Sequence, residues 1–432
     1  MIPQLRAVPS VQDACFSGQT VLIRVDFNSP LEPGTHRILD DSRISSSVPT
    51  ISKLVNDGAK LIVLSHQGQP GSDDFVSLRT HSEVLSQKLG TNVKFVPKLV
   101  GDEVKEEVAR AKAGEVVVLE NVRFNSEETL NLAPPQHANS EMVRFLSSIS
   151  DVYVNEAFSA CHRNHASLVG FPYRLPSFMG LQLRTELEAV SKLLGDEARP
   201  SAFLLGGGKV ADAVDLVRMV ASRSKVDKLI LFGLVGLVFL VAQKPERRNR
   251  ISLENVPREL VGQAAKILSD YGEKIVLPKD CAFMVDLRRE EAKVDDLPPG
   301  TRVLDIGEET VNQIRLELNG FKTAFMRGPP GVIEKAGFEK GTAEVLRMLS
   351  ELHIYTVIGG GHTRVLAEKM RLVGELGYVS TGGGALLSLV AGKDMPALQA
   401  LADAQGRTEV YLEEHRAQAA GYGLTAEHGR GK

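Results

Sequence analysis

Short runs of apolar and β-branched residues alternate with longer amphipathic stretches along most of this chain of 432 residues. In the first half the strand-like runs are TVLIRVDF, AKLIVLSH, EVVVLENV and DVYVNEAF, with helix-like stretches at residues 46–57, 78–89 and 104–113. The second half repeats the pattern with PSAFLLGGG, DKLILFGL, KIVLPKD, KTAFMRGPPG, IYTVIGGG and GYVSTGGG. Strands that alternate with helices favour parallel sheets covered by helices on both faces. The sequence therefore predicts an α/β fold with two doubly wound, Rossmann-like parallel sheets.

The length favours more than one domain, because domains commonly hold about 150 residues. Residues 180–196 form one continuous amphipathic pattern that ends near Gly195 and Pro200, which is typical of a helix joining two lobes. We predict an N-terminal lobe at residues 1–180, a connecting helix and hinge at 181–197, and a C-terminal lobe at 198–395. Residues 396–432 would form a C-terminal segment, partly frayed, that can return to the N-terminal lobe.

Charge, hydropathy and cysteine usage exclude several classes of protein. The net charge of −3 gives no general attraction to nucleic acid or to anionic membranes. The longest apolar run, LILFGLVGLVFLVA at residues 229–242, is shorter than the roughly 20 residues of a membrane span and predicts a buried strand followed by a buried helix. The N-terminus lacks a signal-peptide pattern, and three scattered cysteines suit a reducing compartment. We expect a cytoplasmic protein that is a monomer or a small homo-oligomer and binds neither nucleic acid nor membrane.

Charged and polar side chains follow the strand-like runs of the first half. They are Arg24, Asp26, Asn28, Arg43, His66, Arg123, His162, Arg163 and His165. In open α/β sheets, ligands bind beyond the carboxyl ends of the strands, so these side chains are expected to converge on one crevice. A single arginine here is more often paired on the surface, but guanidinium groups that recur at the same structural place bind phosphate and carboxylate. The first half therefore predicts a site for a small polyanion.

The strand-like runs of the second half are instead followed by glycine. Triplets occur at residues 206–208, 359–361 and 382–384, and the first of them is followed by Lys209. Helix N-termini carry unpaired N–H groups and partial positive charge, and a phosphate can approach them closely where side chains are absent. The first triplet is not a Walker A loop, because Phe203 and Val210 occupy two of the positions that the loop requires, and no clear dinucleotide fingerprint is present. The second half therefore predicts phosphate binding by backbone.

Two anion sites of different kinds favour transfer of a phosphoryl group between two ligands, a reaction that depends on positioning and charge neutralisation. An NAD-dependent dehydrogenase of two α/β domains is an alternative, although its fingerprint is missing. A metal site at Cys161, His162 and His165 is a weaker alternative, since structural sites normally present four ligands at set spacings.

The ordered motifs resemble those of phosphoglycerate kinases. They are VLIRVDFNSP, LDDSRI, LIVLSHQGQPG, VVLENVRF, DVYVNEAFSACHRNHAS, LLGGGKVAD, LDIGEET, GPPGVIE, IGGGHT and YVSTGGGALL. The forms RILDDSRI, HQGQPGSDDF and GGGHT are most similar to the archaeal branch. The resemblance implies that one lobe binds 3-phosphoglycerate or 1,3-bisphosphoglycerate and that the other binds ATP or ADP with Mg²⁺. It also implies direct in-line transfer after hinge closure, with no phospho-enzyme, as a step of glycolysis or gluconeogenesis.

The resemblance also assigns roles to individual residues. The residues implied to hold the phosphoglycerate are Asp26, Asn28, Arg43, His66, Arg123, Arg163 and His165. Those implied to hold the nucleotide are Gly207, Gly208, Lys209, Arg327, Glu334, Gly359, Gly360, Gly361, His362, Thr363, Gly382, Gly383 and Gly384. The implied catalytic set is Arg43, Lys209, Gly360 and Gly383. Arg43 and Gly383 would face the phosphoryl group in transfer, Lys209 would contact nucleotide phosphate, and Gly360 would bind the distal phosphates. No protein ligand is assigned to Mg²⁺, which would be held mainly by nucleotide phosphates near His362.

Several positions depart from the general family pattern, and they are Gln69, Ala213, Phe232, Glu308, Arg327 and His362. Gln69 and Ala213 each remove a positive charge. The stretch Phe232, Gly233, Leu234, which stands where the family pattern has three glycines, is expected to narrow the space for the nucleotide base. We hypothesise that Arg327 substitutes for the lysine that Ala213 replaces. These departures keep open an alternative function, a binding protein of this family with weak or no catalysis.

Overall fold

The structure, a computed structural model, describes residues 8–223 and 225–415. The chain divides into two compact units. The described part of the N-terminal unit comprises residues 8–187 and 394–415, and that of the C-terminal unit comprises residues 188–393 apart from Ser224. The final residues of the predicted C-terminal segment, 416–432, lie outside the described residues.

Most strands are rich in Val, Ile and Leu and are buried at all or all but one of their residues, as expected for parallel sheets covered on both faces. In the N-terminal unit they are β1 (Thr20–Arg24), β2 (Lys60–Leu64), β3 (Val93–Val96), β4 (Val116–Leu119), β5 (Val152–Asn155) and β6 (Ser177–Met179). In the C-terminal unit they are β7 (Ser201–Leu205), β8 (Lys228–Leu231), β9 (Ile275–Val276), β10 (Asp280–Val285), β11 (Arg288–Lys293), β12 (Val303–Ile306), β13 (Thr323–Arg327), β14 (Tyr355–Gly359) and β15 (Gly377–Val379).

The helices bury one apolar stripe each, with the exception of a helix at residues 233–243 that is apolar nearly all round. In chain order they are α1 (Ser42–Asn56), α2 (Arg79–Leu89), α3 (Asp102–Arg110), α4 (Pro134–His137), α5 (Glu141–Ser147), α6 (Ala166–Val169), α7 (Leu181–Leu194), α8 (Val210–Ala221), α9 (Gly233–Gln243), α10 (Arg258–Tyr271), α11 (Glu308–Leu318), α12 (Lys340–Glu351), α13 (Gly361–Lys369), α14 (Val373–Leu376), α15 (Gly384–Val390) and α16 (Pro396–Asp403). Residues 405–415 are also helical.

Each unit contains a six-stranded sheet whose paired strands are all parallel. The orders are β3-β4-β2-β1-β5-β6 and β15-β14-β13-β7-β8-β9. Strand order reverses beside β1 in the first sheet and beside β7 in the second, so each sheet has a switch point where the neighbouring loops diverge. The prediction of two doubly wound parallel sheets is confirmed, and so is the buried strand and helix at 229–242, which are β8 and α9.

A three-stranded antiparallel sheet of order β11-β10-β12 in the C-terminal unit was not predicted. Strand β11 reads RREEAK and is largely exposed, so it lacks the apolar run that identifies a buried strand. The turn before it places Asp286 and Leu287 at positive φ without a glycine, so the usual hairpin signal is also missing.

The boundary between the units falls within α7, and the described residues after 393 belong to the N-terminal unit. There, the Thr408 hydroxyl oxygen accepts a hydrogen bond from the Ser177 N–H (2.9 Å), and Tyr411 packs edge-on against Phe178. Within the described residues, no helix is both long enough and apolar enough to cross a membrane.

Candidate active site

Asp26 lies just beyond β1, at the switch point of the N-terminal sheet. Its carboxylate pairs with the Arg43 guanidinium from the first turn of α1 and accepts a hydrogen bond from the Ser159 hydroxyl. It also accepts a bond from the Asn28 N–H (2.9 Å), and the Asn28 amide oxygen in turn accepts one from the Gly68 N–H (2.8 Å). Burial raises the pKa of Asp26, but the charge of Arg43 and these hydrogen bonds outweigh burial and lower the pKa to about 2. Asp26 therefore anchors the loops that follow three different strands.

His66 and Arg24 are the buried members of the same cluster of side chains. The Arg24 side chain is 1% exposed, and its guanidinium donates to the Nδ1 atom of His66 (3.1 Å) and to the Ser167 hydroxyl oxygen (2.9 Å). Because the guanidinium donates, Nδ1 acts as acceptor and the imidazole is neutral. Burial holds the pKa of His66 well below its usual value, and the neighbouring arginines act in the same direction.

Arg123, Arg163 and His165 complete the crevice. Burial lowers the pKa of Arg123 to about 10, and repulsion from Arg163 and Arg24 contributes. Burial and the same three arginines lower the pKa of His165 to about 3. Within the described chain the Arg163 side chain makes no hydrogen bond or ion pair, so its guanidinium is available to a ligand. The predicted side chains thus converge, and the mutual repulsion of their charges is what a bound anion would relieve.

The sequence did not identify Glu128, Ser159 or Ser167 as part of this crevice, and it placed Arg24 there without assigning it a role. Glu128 is fully buried beside Ser167 and His165. Its local sequence, NSEETL, resembles an exposed acidic turn, so no pattern in the chain distinguishes it. Only the packing of α6 against the loop after β4 brings it to the site.

Glycine at the switch point of the C-terminal sheet permits close backbone packing. The Gly206 N–H donates to the Arg327 carbonyl (2.8 Å), and the Gly207 N–H donates to the Pro329 carbonyl (3.1 Å). A Cβ at Gly328 would lie 2.4 Å from the Gly206 carbonyl oxygen, and one at Gly233 would lie 2.8 Å from the Gly207 nitrogen. Side chains at these positions would therefore push apart the loops after β7, β8 and β13.

The glycines of the first two triplets have different physical roles by position. The first of each packs tightly: a Cβ at Gly206 would lie 2.4 Å from the Phe232 ring, and one at Gly359 would lie 3.0 Å from Leu386. The second of each adopts positive φ, +85° at Gly207 and +109° at Gly360. The third glycines face open space, since a Cβ at Gly208 or Gly361 would meet no atom within 4 Å. Neither packing nor the φ angle therefore explains why the third position of each triplet is glycine.

The third triplet contains Gly383 at φ +50°, immediately before α15. A Cβ at Gly383 would also meet nothing within 4 Å. The Gly382 N–H donates to the Ser380 hydroxyl oxygen (3.0 Å), and Gly384 is the first residue of α15. The triplet therefore stands at a helix N-terminus, as predicted.

A cavity of about 460 Å³ lies in the C-terminal unit. Its lining includes four predicted nucleotide residues, Gly207, Gly208, Glu334 and His362. The remaining lining comes from residues 252–255, from α9, from Pro278 and Cys281, from residues 302–306 and from the loop after β13. It is largely apolar, with polar side chains at Ser252, Glu254, Asn255, Arg302 and Asp305. A cavity of this size and composition suits a flat heterocycle with a polar substituent.

Other predicted nucleotide residues stand at strand ends or helix starts of the same unit without lining the cavity. Lys209 precedes α8 and is exposed. Arg327 ends β13 and is paired in register with Gly359 of β14. Thr363, in the first turn of α13, is fully buried, and its hydroxyl has no hydrogen-bond partner among the described residues. An unpaired buried hydroxyl at a helix N-terminus suits a phosphate oxygen.

The residues that depart from the family pattern lie in different environments. Phe232 is fully buried and packs against Gly206, whereas Gly233 and Leu234 of the same stretch line the cavity. Ala213 is buried within α8, and the adjacent Asp212 interacts electrostatically with Arg327. Gln69 is exposed on the loop after β2, and Glu308 begins α11.

His362 and Glu334 interact directly. The Nδ1 atom of His362 lies 2.7 Å from the Glu334 carboxylate, and both side chains are mostly exposed. The imidazole thus stands at the cavity mouth beside the residue that the family resemblance assigns to the ribose.

The cysteine and histidines considered as a metal site are held differently. Cys161 is buried, and its thiol donates to the Ala157 carbonyl oxygen. Among the residues that the structure describes, no group of three or more His, Cys, Asp or Glu is arranged to hold a metal ion. His137 is fully buried in the N-terminal unit.

The two units therefore offer complementary chemistry. One presents guanidinium groups and neutral imidazoles to an anion, and the other presents helix N-termini, open glycines and an apolar cavity. Neither arrangement contains an activated nucleophile, since the buried Cys161 and Cys281 have raised pKa values caused by burial. Positioning and charge neutralisation are the chemistry that these groups can perform.

Comparison with known proteins agrees with this geometry. A family model described as phosphoglycerate kinase matches residues 11–393. The chain is 36% identical over 406 residues to a phosphoglycerate kinase of Methanothermus fervidus, covering 93% of this chain and 99% of the relative. It is 38% identical over 399 residues to one of Methanopyrus kandleri, covering 91% and 97%. The crystal structure of the Pyrococcus horikoshii phosphoglycerate kinase matches with a TM-score of 0.81 at 33% identity, covering 93% of this chain and 100% of that chain. The archaeal resemblance is confirmed, and the chain belongs to the phosphoglycerate kinase family.

Proposed function

We propose that this chain catalyses the reversible transfer of a phosphoryl group from 1,3-bisphosphoglycerate to ADP, giving 3-phosphoglycerate and ATP. An oxygen of the ADP β-phosphate attacks the acyl phosphorus, the bond from phosphorus to the carboxyl oxygen breaks, and a carboxylate leaves. The family match over residues 11–393 is the observation that carries this proposal. The absence of an activated nucleophile at the site suits direct transfer without a phospho-enzyme.

The N-terminal crevice is the proposed phosphoglycerate site. Arg123 and Arg163 are suited to the phosphate end of the ligand, because guanidinium groups bind phosphate oxygens in pairs. Asp26 and Asn28 are suited to the hydroxyl of the ligand, and neutral His66 and His165 can donate hydrogen bonds without adding charge. Arg43, whose side chain is 34% exposed, is the proposed stabiliser of the phosphoryl group in transfer.

The C-terminal unit is the proposed nucleotide site. The cavity takes the base and ribose, with Glu334 accepting bonds from ribose hydroxyls. The N-terminus of α13, with Gly360, Gly361 and Thr363, takes the distal phosphates, and Lys209 and Arg327 neutralise their charge. Gly383 and Gly384 offer N–H groups to the transferring phosphoryl group, while the N–H of Gly382, the third member of the predicted set, donates to Ser380. Mg²⁺ is proposed to arrive on the phosphates, as Mg²⁺ commonly does, close to His362.

Turnover of 3-phosphoglycerate and ATP in the presence of Mg²⁺ tests the proposal, with ADP production coupled to NADH oxidation. We expect Arg43→Ala to reduce kcat at least about 100-fold, because removal of one electrostatic stabiliser of a transition state commonly costs that much. Arg37→Ala is the matched control, since Arg37 is exposed, pairs with Glu32 and lies outside the crevice. Its kcat should stay within about twofold of the parent.

An inactive parent chain that still binds 3-phosphoglycerate and ADP would instead support the alternative, a binding protein of this family. That alternative is motivated by Gln69 and Ala213, which remove positive charge. Equal loss in Arg37→Ala and Arg43→Ala would contradict the role of Arg43. The proposed location is the cytoplasm, and the proposed assembly is a monomer or a small homo-oligomer.

A further inference from the structure

Glu128 is a buried carboxyl that the proposed reaction does not use. Its side chain is 0% exposed, and both oxygens are engaged by one residue. Oε2 accepts a hydrogen bond from the Ser167 N–H (2.8 Å), and Oε1 accepts one from the Ser167 hydroxyl (2.7 Å). The Glu128 carbonyl accepts a third bond from the Ala166 N–H (2.9 Å). The acid therefore fixes the first turn of α6 from both backbone and side chain.

Ser167 transmits this constraint to the crevice. Its hydroxyl donates to Glu128, so the lone pairs of its oxygen are left to accept the bond from Arg24 Nε (2.9 Å). Arg24 then donates to His66 Nδ1 (3.1 Å). The Arg24 guanidinium is therefore oriented by the Ser167 hydroxyl, by His66 and by the Val25 carbonyl oxygen. Glu128 fixes the first of these three partners.

Glu128 also interacts electrostatically with the buried Arg24 guanidinium. Arg24 is 1% exposed, and an uncompensated buried guanidinium is costly. The nearer carboxylate in sequence, Asp26, is already engaged by Arg43 and Ser159. Burial raises the pKa of Glu128 to about 6, while Arg24 and the bonds from Ser167 oppose that rise. Glu128 therefore remains mostly ionised at neutral pH and supplies the counter-charge behind the crevice.

We propose that Glu128 is a positioning residue for the phosphoglycerate site: it holds Ser167, and through Ser167 it sets the orientation of Arg24 and His66. This inference rests on the proposed function of the crevice. Glu128 does not touch the ligand, so its effect falls on binding of phosphoglycerate rather than on binding of nucleotide.

Steady-state kinetics of Glu128→Gln test the inference. An amide offers one acceptor oxygen in place of two, so one of the bonds from Ser167 is lost together with the counter-charge. We expect KM for 3-phosphoglycerate to rise about tenfold, with KM for ATP within twofold of the parent. Glu127→Gln is the matched control, because Glu127 bonds to the Glu141 N–H rather than to the crevice, and both of its KM values should be unchanged.

Ser167→Ala provides a second test that leaves the carboxylate in place. It removes the hydroxyl between Glu128 and Arg24, and we expect the same selective rise in KM for 3-phosphoglycerate. Circular dichroism and urea unfolding establish that each variant is folded, and if Glu128→Gln does not fold, Ser167→Ala decides. An unchanged KM for 3-phosphoglycerate in Ser167→Ala, or an equal rise in both KM values, overturns the inference. Failure of the parent to bind 3-phosphoglycerate in calorimetry would instead overturn the proposed function.

Discussion

Gly361→Ala is expected to weaken nucleotide binding without weakening the fold. Gly361 is the first residue of α13, its φ is not in the left-handed region, and an added Cβ would meet no atom within 4 Å. Alanine is a better helix former than glycine by about 1 kcal/mol in a helix interior, and by less at a first position. The free energy of unfolding should therefore stay the same or rise by a few tenths of a kcal/mol.

The effect on nucleotide follows from the space that the methyl group would occupy. A phosphate at the start of α13 accepts hydrogen bonds from N–H groups of the first turn, with N to O distances near 2.9 Å. A Cβ on the same residue forces the phosphate to withdraw, and loss of one hydrogen bond to a charged group costs about 1.5–3 kcal/mol. That corresponds to roughly 10- to 100-fold weaker binding of ADP with Mg²⁺.

Gly262→Ala is the matched control. Gly262 lies in the middle of α10, away from the cavity, and a Cβ there would also meet nothing within 4 Å. We expect this variant to gain about 1 kcal/mol in urea unfolding and to bind ADP as the parent does in titration calorimetry. Parent-like affinity in a folded Gly361→Ala protein would refute the assignment of this helix N-terminus to a phosphate, whatever the control does.

Three further outcomes are expected from the same reasoning. Gly207→Ala should destabilise the fold by about 1–2 kcal/mol because of its φ of +85°. Gly208→Ala should leave urea unfolding unchanged and reduce ADP affinity. A greater loss of stability in Gly208→Ala than in Gly207→Ala would contradict the different roles of the two glycines. Arg327→Ala should raise KM for ATP several-fold if Arg327 supplies the charge that Ala213 lacks, and unchanged kinetics would remove that hypothesis. Burial raises the pKa of Glu156 to about 8, so the stability that this acid contributes is complete below its unfolded pKa and is lost as pH rises through 8. Glu156→Gln should therefore abolish a fall of roughly 3 kcal/mol in parent stability between pH 5 and 8, and parallel pH profiles in urea unfolding would argue against a protonated Glu156.

The sequence predicted the parallel sheets well because their strands are buried on both faces and therefore read as continuous apolar runs. It missed β3 and β6, which are short strands at the edges of the N-terminal sheet, and the antiparallel hairpin, whose second strand is charged. Edge and surface strands are specified by pairing with a neighbour rather than by local composition. The same limit explains why a turn of Asp286 and Leu287, held at positive φ, gave no hairpin signal.

The residues of the candidate site also differ in whether the sequence could identify them. Residues shortly after a buried strand, such as Asp26 and His66, were identified because strand ends meet at one edge of a sheet. Glu128 was not, since it reaches the crevice only through its contact with α6, and no spacing in the chain records that contact. The glycine triplets show the same limit. The sequence does not distinguish the three glycines of a triplet, whereas in the structure they differ in packing and in φ.

The differences within the triplets change how a bare backbone should be interpreted. Gly206 and Gly359 are required by neighbouring side chains, and Gly207 and Gly360 by their φ angles, so their presence would be explained even if no ligand bound. Gly208 and Gly361 have neither constraint, so neither packing nor the φ angle explains why glycine occupies these two positions. A side chain at either position would occupy the space beside the backbone in which a ligand phosphate is proposed to bind. The third glycine of each of these two triplets is therefore the one whose presence indicates a ligand. Gly208→Ala and Gly361→Ala test that glycine separately from the two glycines that packing and φ require.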